Sequence, residues 1–130
     1  MKLLLDTHVL IWALQDSPNL PIYIRDAIID ENNEIYVSAL SLWEIAIKHK
    51  THPDKMPYTA TEIRQYAQRA GYIFLSLNLD ALQTYEGHDL SMHKDPFDQM
   101  LVCQSVAHNM KLISHDSKLK SYGIGFLEIF

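Results

Sequence analysis

The chain has 130 residues, of which 48% are hydrophobic and 21% are charged, and its formal net charge is −5. This length and composition fit one globular domain and exclude collagen-like, low-complexity and disordered chains. With 16 acidic residues against 11 lysines and arginines, the chain is unlike proteins that hold nucleic acid through a broad basic face. Either nucleic acid is not the ligand, or the negative charge is concentrated where another group neutralises it.

In chain order, short apolar runs alternate with longer segments of helical period. The apolar runs predict strands at residues 3–5, 35–37, 72–77, 112–114 and 126–129. The periodic segments predict helices at residues 8–14, 21–30, 39–50 (capped by Ser38), 59–71 (capped by Thr59 or Thr61), 78–86, 96–109 and 117–121. Because strands alternate with helices, we expect right-handed crossovers, a mainly parallel sheet covered on both faces, and one α/β domain over residues 1–130.

The cellular compartment is indicated by the cysteine count and by the hydropathy pattern. The single cysteine, Cys103, cannot form an internal disulfide, and its apolar surroundings predict a buried side chain. Asp6 interrupts the first apolar run too early for a signal peptide, and no stretch has transmembrane length. We therefore expect a cytoplasmic protein that does not engage a membrane.

Four acidic residues lie at predicted strand ends or on predicted helices: Asp6, Glu44, Asp98 and Asp116. Ligands of parallel sheets bind beyond the carboxyl ends of the strands, and the predicted topology can bring all four acids to that edge. Each acid also has an ordinary explanation. Asp6 and Asp116 can cap helices, Glu44 can pair with Lys48 four residues on, and Asp98 can favour the first turn of its helix. These explanations account for each acid but not for the set.

Four segments resemble, in order and spacing, the successive motifs of PIN-domain ribonucleases, in particular the VapC-type toxins of bacterial toxin–antitoxin pairs. The segments are Leu3-Leu4-Leu5-Asp6-Thr7-His8, Ser41-Leu42-Trp43-Glu44-Ile45, Asp95-Pro96-Phe97-Asp98-Gln99-Met100-Leu101-Val102 and Leu112-Ile113-Ser114-His115-Asp116. The resemblance covers essentially the whole chain, and the Asp-Pro-Phe-Asp segment is its most specific part. It implies a PIN-like three-layer α/β/α sandwich with a mainly parallel, roughly five-stranded sheet.

The resemblance further implies that Asp6, Glu44, Asp98 and Asp116 form the catalytic site of a Mg²⁺- or Mn²⁺-dependent endoribonuclease. Asp6 and Asp98 would contact the metal directly, and Glu44 and Asp116 would do so directly or through water. Ser114 and Asp95 would orient these ligands without contacting the metal themselves. Asp95 would act mainly as a helix cap. Hard divalent cations prefer oxygen ligands, and a bound cation makes water a nucleophile near neutral pH. Each divalent cation would also offset two of the net negative charges.

The substrate and partners are expected from the same resemblance. It implies hydrolysis of RNA, commonly a tRNA or ribosomal RNA segment, by a homodimer. A VapB-type antitoxin would inhibit the enzyme by wrapping its C-terminal segment around the toxin. Lys48, Lys94 and Lys118 lie near the acidic motifs and form a candidate phosphate-binding rim, although they can equally be solubilising charges. His8, His93 and His115 also adjoin these motifs, either to touch substrate or as solvated loop residues.

Two alternatives belong to other functional classes. In an aspartyl-phosphate phosphotransfer enzyme, Asp6 would be the nucleophile at the end of the first strand, but the second aspartate expected two residues on is His8 here. In a non-catalytic PIN-like domain that binds RNA or protein, the acidic positions would have no reason to be filled. A zinc site at His49 and His52 lacks further ligands.

Overall fold

The computed structural model describes residues 1–91, 94–122 and 127–130, without the side chains of residues 121 and 122. Its strands are β1 (Lys2–Leu5), β2 (Glu34–Ser38), β3 (Ile73–Leu75), β4 (Lys111–Ser114) and β5 (Leu127–Ile129). Its helices are α1 (Thr7–Gln15), α2 (Ile22–Ile29), α3 (Ala39–Thr51), α4 (Ala60–Arg69), α5 (Leu79–Gly87), α6 (Pro96–Ala107) and a 3-10 helix (Ser117–Tyr122). None of the helices in the described parts of the chain combines the length and apolar character needed to cross a bilayer.

The five strands form one parallel sheet in the order β3-β2-β1-β4-β5, which confirms the predicted sheet. The first strand is therefore the central one and pairs with β2 on one side and β4 on the other. Leu3 and Leu5 pack against α1, α2, α3 and α4, while Leu4 packs with residues of α5 and α6 on the opposite face. Because side chains of a strand alternate between its faces, these three leucines anchor both helical layers. The predicted three-layer sandwich is confirmed.

Local side-chain caps explain where several helices begin. The Ser38 hydroxyl accepts a hydrogen bond from the backbone N–H of Leu40 at the start of α3. Thr59, rather than Thr61, caps α4, because its hydroxyl accepts from the Glu62 N–H while the Glu62 carboxylate accepts from the Thr59 N–H. This reciprocal capping box satisfies two donors at once, which the Thr61 alternative does not offer. Gly71 follows α4 with a φ of 85°, a left-handed conformation that suits glycine.

Several predicted boundaries differ from the structure. Two of the differences have a clear physical cause, and one predicted strand extends beyond the described residues. The third strand, predicted at 72–77, covers only Ile73–Leu75, because its one partner β2 ends at Ser38 opposite Leu75 and offers no further backbone to pair. The helix predicted at 96–109 ends at Ala107, since Asn109 turns the chain with a φ of 53°. For the strand predicted at 126–129, β5 covers Leu127–Ile129, and residue 126 lies outside the described residues.

Candidate active site

A cavity of about 340 Å³ lies beyond the carboxyl ends of β1 and β4. The predicted acids all line it, although they come from four separate segments. Its lining residues are Asp6, Thr7, His8, Trp12, Glu44, Lys48, Asp95, Asp98, His115 and Asp116. The parallel topology explains this convergence, because the carboxyl ends of the strands and the N-terminal parts of α3 and α6 lie at the same edge of the sheet.

Asp6 lies at the floor of this cavity and is 5% exposed. Its backbone N–H continues the sheet by donating to the Ile113 carbonyl, and its carboxylate accepts from the Val9 N–H at 2.8 Å, so it also caps α1. Burial raises the pKa of the Asp6 carboxyl, although hydrogen bonds with the Ser114 side chain and the Val9 N–H act in the opposite direction. Hydrogen bonds thus fix the position of the Asp6 carboxyl group, while its burial makes ionisation unfavourable unless a positive charge lies nearby.

Glu44 projects into the cavity from α3 and is buried. The Thr7 hydroxyl donates to one carboxylate oxygen at 2.6 Å, and the Lys48 ammonium contacts the other at 2.9 Å. The ion pair with Lys48 therefore exists, but it sits on the wall of the acidic cavity and fixes the direction of Glu44. Thr7 was not predicted as a site residue. Its sequence signal was its place beside Asp6 at the start of α1, where both side chains face the sheet edge.

Asp95 and Asp98 reach the cavity from the N-terminal end of α6. The Asp95 carboxylate accepts from the Phe97 N–H at 2.9 Å, which makes it the helix cap while it still lines the cavity. Asp98 lies one turn further, in the first turn of the helix. Both carboxylates therefore lie at the positive end of the α6 helix dipole.

Asp116 and Ser114 lie at the end of β4. The buried Ser114 hydroxyl bonds with the Asp6 carboxylate and accepts from the Asp116 backbone N–H at 3.0 Å. Ser114 therefore joins the ends of β1 and β4, and the Asp116 side chain accepts from the Lys118 N–H. Of the three predicted rim lysines only Lys48 lines the cavity; Lys94 and Lys118 are exposed and do not.

Three further positions bear on the sequence-based expectations. Cys103 is buried within α6, as predicted, and burial raises the pKa of its thiol to about 11, so the thiolate nucleophile is scarce at neutral pH. His93 lies outside the described residues. Trp12, which also lines the cavity, was missed because in sequence it reads only as part of the apolar stripe of α1.

The donor set suits a hard divalent cation, because the cavity offers carboxylate and hydroxyl oxygens and its floor is a buried carboxyl group that gains from a nearby positive charge. Within the part of the chain that the structure describes, no group of three or more histidine, cysteine or acidic side chains is close enough to hold a metal by itself. Magnesium takes one or two carboxylates directly and keeps several waters. The residues therefore fit a cation held by few protein ligands, with water completing its coordination.

Comparisons with known proteins agree with this architecture. The structure of VapBC2 from Rickettsia felis bound to a DNA fragment from its promoter matches with a TM-score of 0.70 at 15% identity, covering 100% of this chain and 98% of that one. VapBC-1 from nontypeable Haemophilus influenzae matches with a TM-score of 0.62 at 18% identity, covering 94% and 92%. A comparison with curated proteins finds no significant match. The family model of the PIN domain matches residues 3–125. The chain belongs to the PIN-domain family.

Proposed function

We propose that this protein is a Mg²⁺- or Mn²⁺-dependent endoribonuclease and the VapC-type toxin of a toxin–antitoxin pair, with residues 1–130 acting as one PIN domain in the cytoplasm. The observation that carries the proposal is the convergence of Asp6, Glu44, Asp98 and Asp116 in one cavity. Membership of the PIN-domain family and the fold shared with two VapBC structures support it.

In this proposal Asp6 and Asp98 hold the cation directly, and Glu44 and Asp116 hold it directly or through water. When bound, the cation supplies Lewis-acid activation of the attacking water and of the scissile phosphate. The protein supplies orientation. Thr7 and Lys48 fix the two oxygens of Glu44, while Ser114 holds the Asp6 carboxylate against the end of β4. Asp95 sets the start of α6 and thereby the position of Asp98.

The proposed partners are an RNA substrate, a second copy of the chain and a VapB-type antitoxin. A mainly apolar groove runs along α1 and α4, lined by Ile11, Leu14, Gln15, Tyr58, Ile63 and Tyr66. Ile11 also lines a cavity next to the acidic one, so a peptide segment lying in this groove can continue to the carboxylates. We assign this path to the C-terminal segment of the antitoxin, and its basic side chains would be attracted to the acidic cavity.

The proposal is tested by comparing the wild type with Asp6→Asn, which keeps the shape of the side chain and the helix cap but loses the charge. Asp80→Asn is the matched control, because Asp80 is an exposed acid in the first turn of α5. Each purified protein is incubated with total RNA in Mg²⁺, Mn²⁺ or EDTA. We expect wild type and Asp80→Asn to cut RNA only with metal, and Asp6→Asn to be at least about 100-fold slower.

Induction of each variant in a bacterial host provides the second readout, with growth arrest expected for all but Asp6→Asn. Cleavage of RNA that is indifferent to EDTA, or equal arrest by the wild type and Asp6→Asn, would contradict the proposal. A stable phosphate on Asp6 would instead indicate phosphotransfer.

A further inference from the structure

A second cavity of about 400 Å³ adjoins the acidic one. The two share His8, Trp12 and Lys48 in their linings. Trp12 therefore lies on the boundary between them, and a ligand that extends from the carboxylates into the second cavity has to pass its indole ring.

The indole ring of Trp12 is half-buried and held from one side by other rings. Its centroid lies 5.3 Å from the His115 ring in an edge-on arrangement and 6.4 Å from the Phe130 ring. His115 is itself fixed by a 2.6 Å hydrogen bond between its Nδ1 and the Phe130 carbonyl oxygen. The exposed His8 ring, one turn earlier on α1, lies 6.0 Å from the indole ring. Such support leaves Trp12 as a fixed aromatic surface that still faces the cavities.

The two cavities differ in the charged side chains that line them, because only the first contains acidic residues among those described. The first contains the carboxylates, so a phosphate enters it only together with a cation. Among the described residues that line the second cavity, none is acidic, whereas Lys48, Lys55, His8 and His52 are basic or titratable. The rest of its lining is apolar and consists of Ile11, Trp12 and Met56. A lysine-bearing cavity with an aromatic wall has the properties of a nucleotide subsite, because it offers attraction for a phosphate and a flat face for a base.

We propose that Trp12 is a substrate-binding residue on which the nucleobase next to the scissile phosphate stacks, while the following phosphate lies against Lys55 in the second cavity. This inference rests on the proposed ribonuclease function. It adds a path for the RNA strand, which would run from the acidic cavity across Trp12 into the second cavity. A base can stack on a side chain only after leaving its helical neighbours, so the RNA is single-stranded at this point. Every base has a flat face, and the subsite therefore tolerates different bases.

The first test compares Trp12→Leu with Trp12→Phe, which retains a flat ring. The matched control is Trp43→Leu, because Trp43 is the other tryptophan of the chain and is 60% exposed on α3, outside both cavity linings. Cleavage of an unstructured RNA oligonucleotide of mixed sequence is followed in Mg²⁺. We expect Trp12→Leu to raise KM about tenfold with little change in kcat, and Trp12→Phe and Trp43→Leu to stay near wild type. An unchanged KM in Trp12→Leu would overturn the inference while leaving the nuclease proposal intact.

The second test does not require cleavage. In a Trp43→Phe protein the remaining indole is Trp12, and its fluorescence is recorded with Ca²⁺ in place of Mg²⁺ while an oligoadenylate is added. We expect quenching by the oligoadenylate but not by an abasic sugar-phosphate chain of the same length. In a Trp12→Phe protein that keeps Trp43 as its fluorophore, we expect no quenching. Quenching without any RNA cleavage in Mg²⁺ would refute the nuclease proposal and support the base-stacking site. Cleavage without quenching would refute the base-stacking site and support the nuclease proposal.

The third test uses an exposed residue whose replacement does not endanger folding. Lys55→Ala is compared with Lys50→Ala, since Lys50 is also exposed but lines neither cavity. The affinity for oligoadenylate is measured over a range of salt concentrations. Loss of one phosphate contact from a single strand lowers the slope of log affinity against log salt by about 0.7, and we expect this change for Lys55→Ala only. Equal slopes in both variants would remove Lys55 from the phosphate path.

Discussion

At the scale of single residues, the acids of this cavity carry structural and proposed chemical roles together. Asp6 caps α1 and Asp95 caps α6, and both also line the cavity. Glu44 forms an i,i+4 ion pair with Lys48 and is oriented by that pair. Sequence patterns suggested the structural roles and the family resemblance suggested the chemical ones. A structural role and a proposed chemical role are compatible in one residue, because a side chain that caps a helix at this edge of the parallel sheet also lies in the cavity.

Asp6 is expected to reduce stability at neutral pH. The unfolded chain releases its proton near the ordinary value of 3.8, whereas burial raises the pKa in the folded chain, so the folded state keeps the proton to higher pH. Between these two values the folded protein binds more protons, and its stability falls as pH rises. We predict that the free energy of unfolding of Asp6→Asn, relative to wild type in EDTA, increases as pH rises from below 3.8 to neutral.

The measurement is urea denaturation of both proteins over that pH range. Asp80→Asn, which removes an exposed carboxylate outside the cavity, is the matched control. A stability difference between Asp6→Asn and wild type that stays constant with pH, or falls as pH rises, would contradict the prediction.

At the scale of elements, sequence patterning anticipated the strands and helices, and the departures have physical causes that lie elsewhere in the chain. The length of β3 is set by where β2 stops, which no local pattern around residues 72–77 reports. The choice between Thr59 and Thr61 depended on which of them has a glutamate three residues on, and that information was present in Glu62. The boundaries of helices and strands are therefore predictable from sequence where a capping side chain sets them. They are not predictable where the end of a neighbouring strand sets them.

Ser38 connects three elements and is expected to matter more than an ordinary cap. Its hydroxyl caps α3 and donates at 2.7 Å to Gln104 of α6, whose side-chain amide in turn donates to the Ser76 carbonyl after β3. Both Ser38 and Gln104 are fully buried. Ser38→Ala removes the cap and leaves the Gln104 oxygen unpaired, and we predict a loss of about 2–4 kcal/mol in the free energy of unfolding.

Thr59→Ala is the matched variant, because it removes a cap whose hydrogen bonds are exposed to solvent and is expected to cost only about 1 kcal/mol. Chemical denaturation of the two variants and the wild type provides the comparison. Equal losses would show that the buried bond to Gln104 contributes nothing beyond the cap.

At the scale of the whole molecule, the topology alone accounts for the meeting of the acids, and this part of the site was open to prediction from sequence. The second cavity could not be predicted from the sequence, because Trp12 is positioned by packing against His115 and Phe130, more than a hundred residues away in the chain. Sequence order also could not show that Lys48 alone of the three rim lysines lines the acidic cavity. Contacts between side chains of distant elements decide both points.

Metal binding is expected to stabilise the entire fold, since a ligand that binds only the folded state shifts the unfolding equilibrium. We predict that Mg²⁺ or Mn²⁺ at a hundredfold excess over its dissociation constant raises the stability of the wild type by about 2.7 kcal/mol. Thermal unfolding is measured with and without the metal. The increase should persist in Asp80→Asn and be lost in Asp6→Asn. An equal increase in Asp6→Asn would place the metal elsewhere.

The central position of β1 has a consequence for protein synthesis. Asp6 is synthesised long before its strand receives its second neighbour, β4, with residues 111–114, and Asp116 follows still later. Translation at about 5–20 residues per second therefore separates the first acid of the cavity from the last by several seconds or more. A nascent chain cannot assemble the site while most of it is being made. The proposed ribonuclease would therefore complete its carboxylate site only after most of the chain has been synthesised.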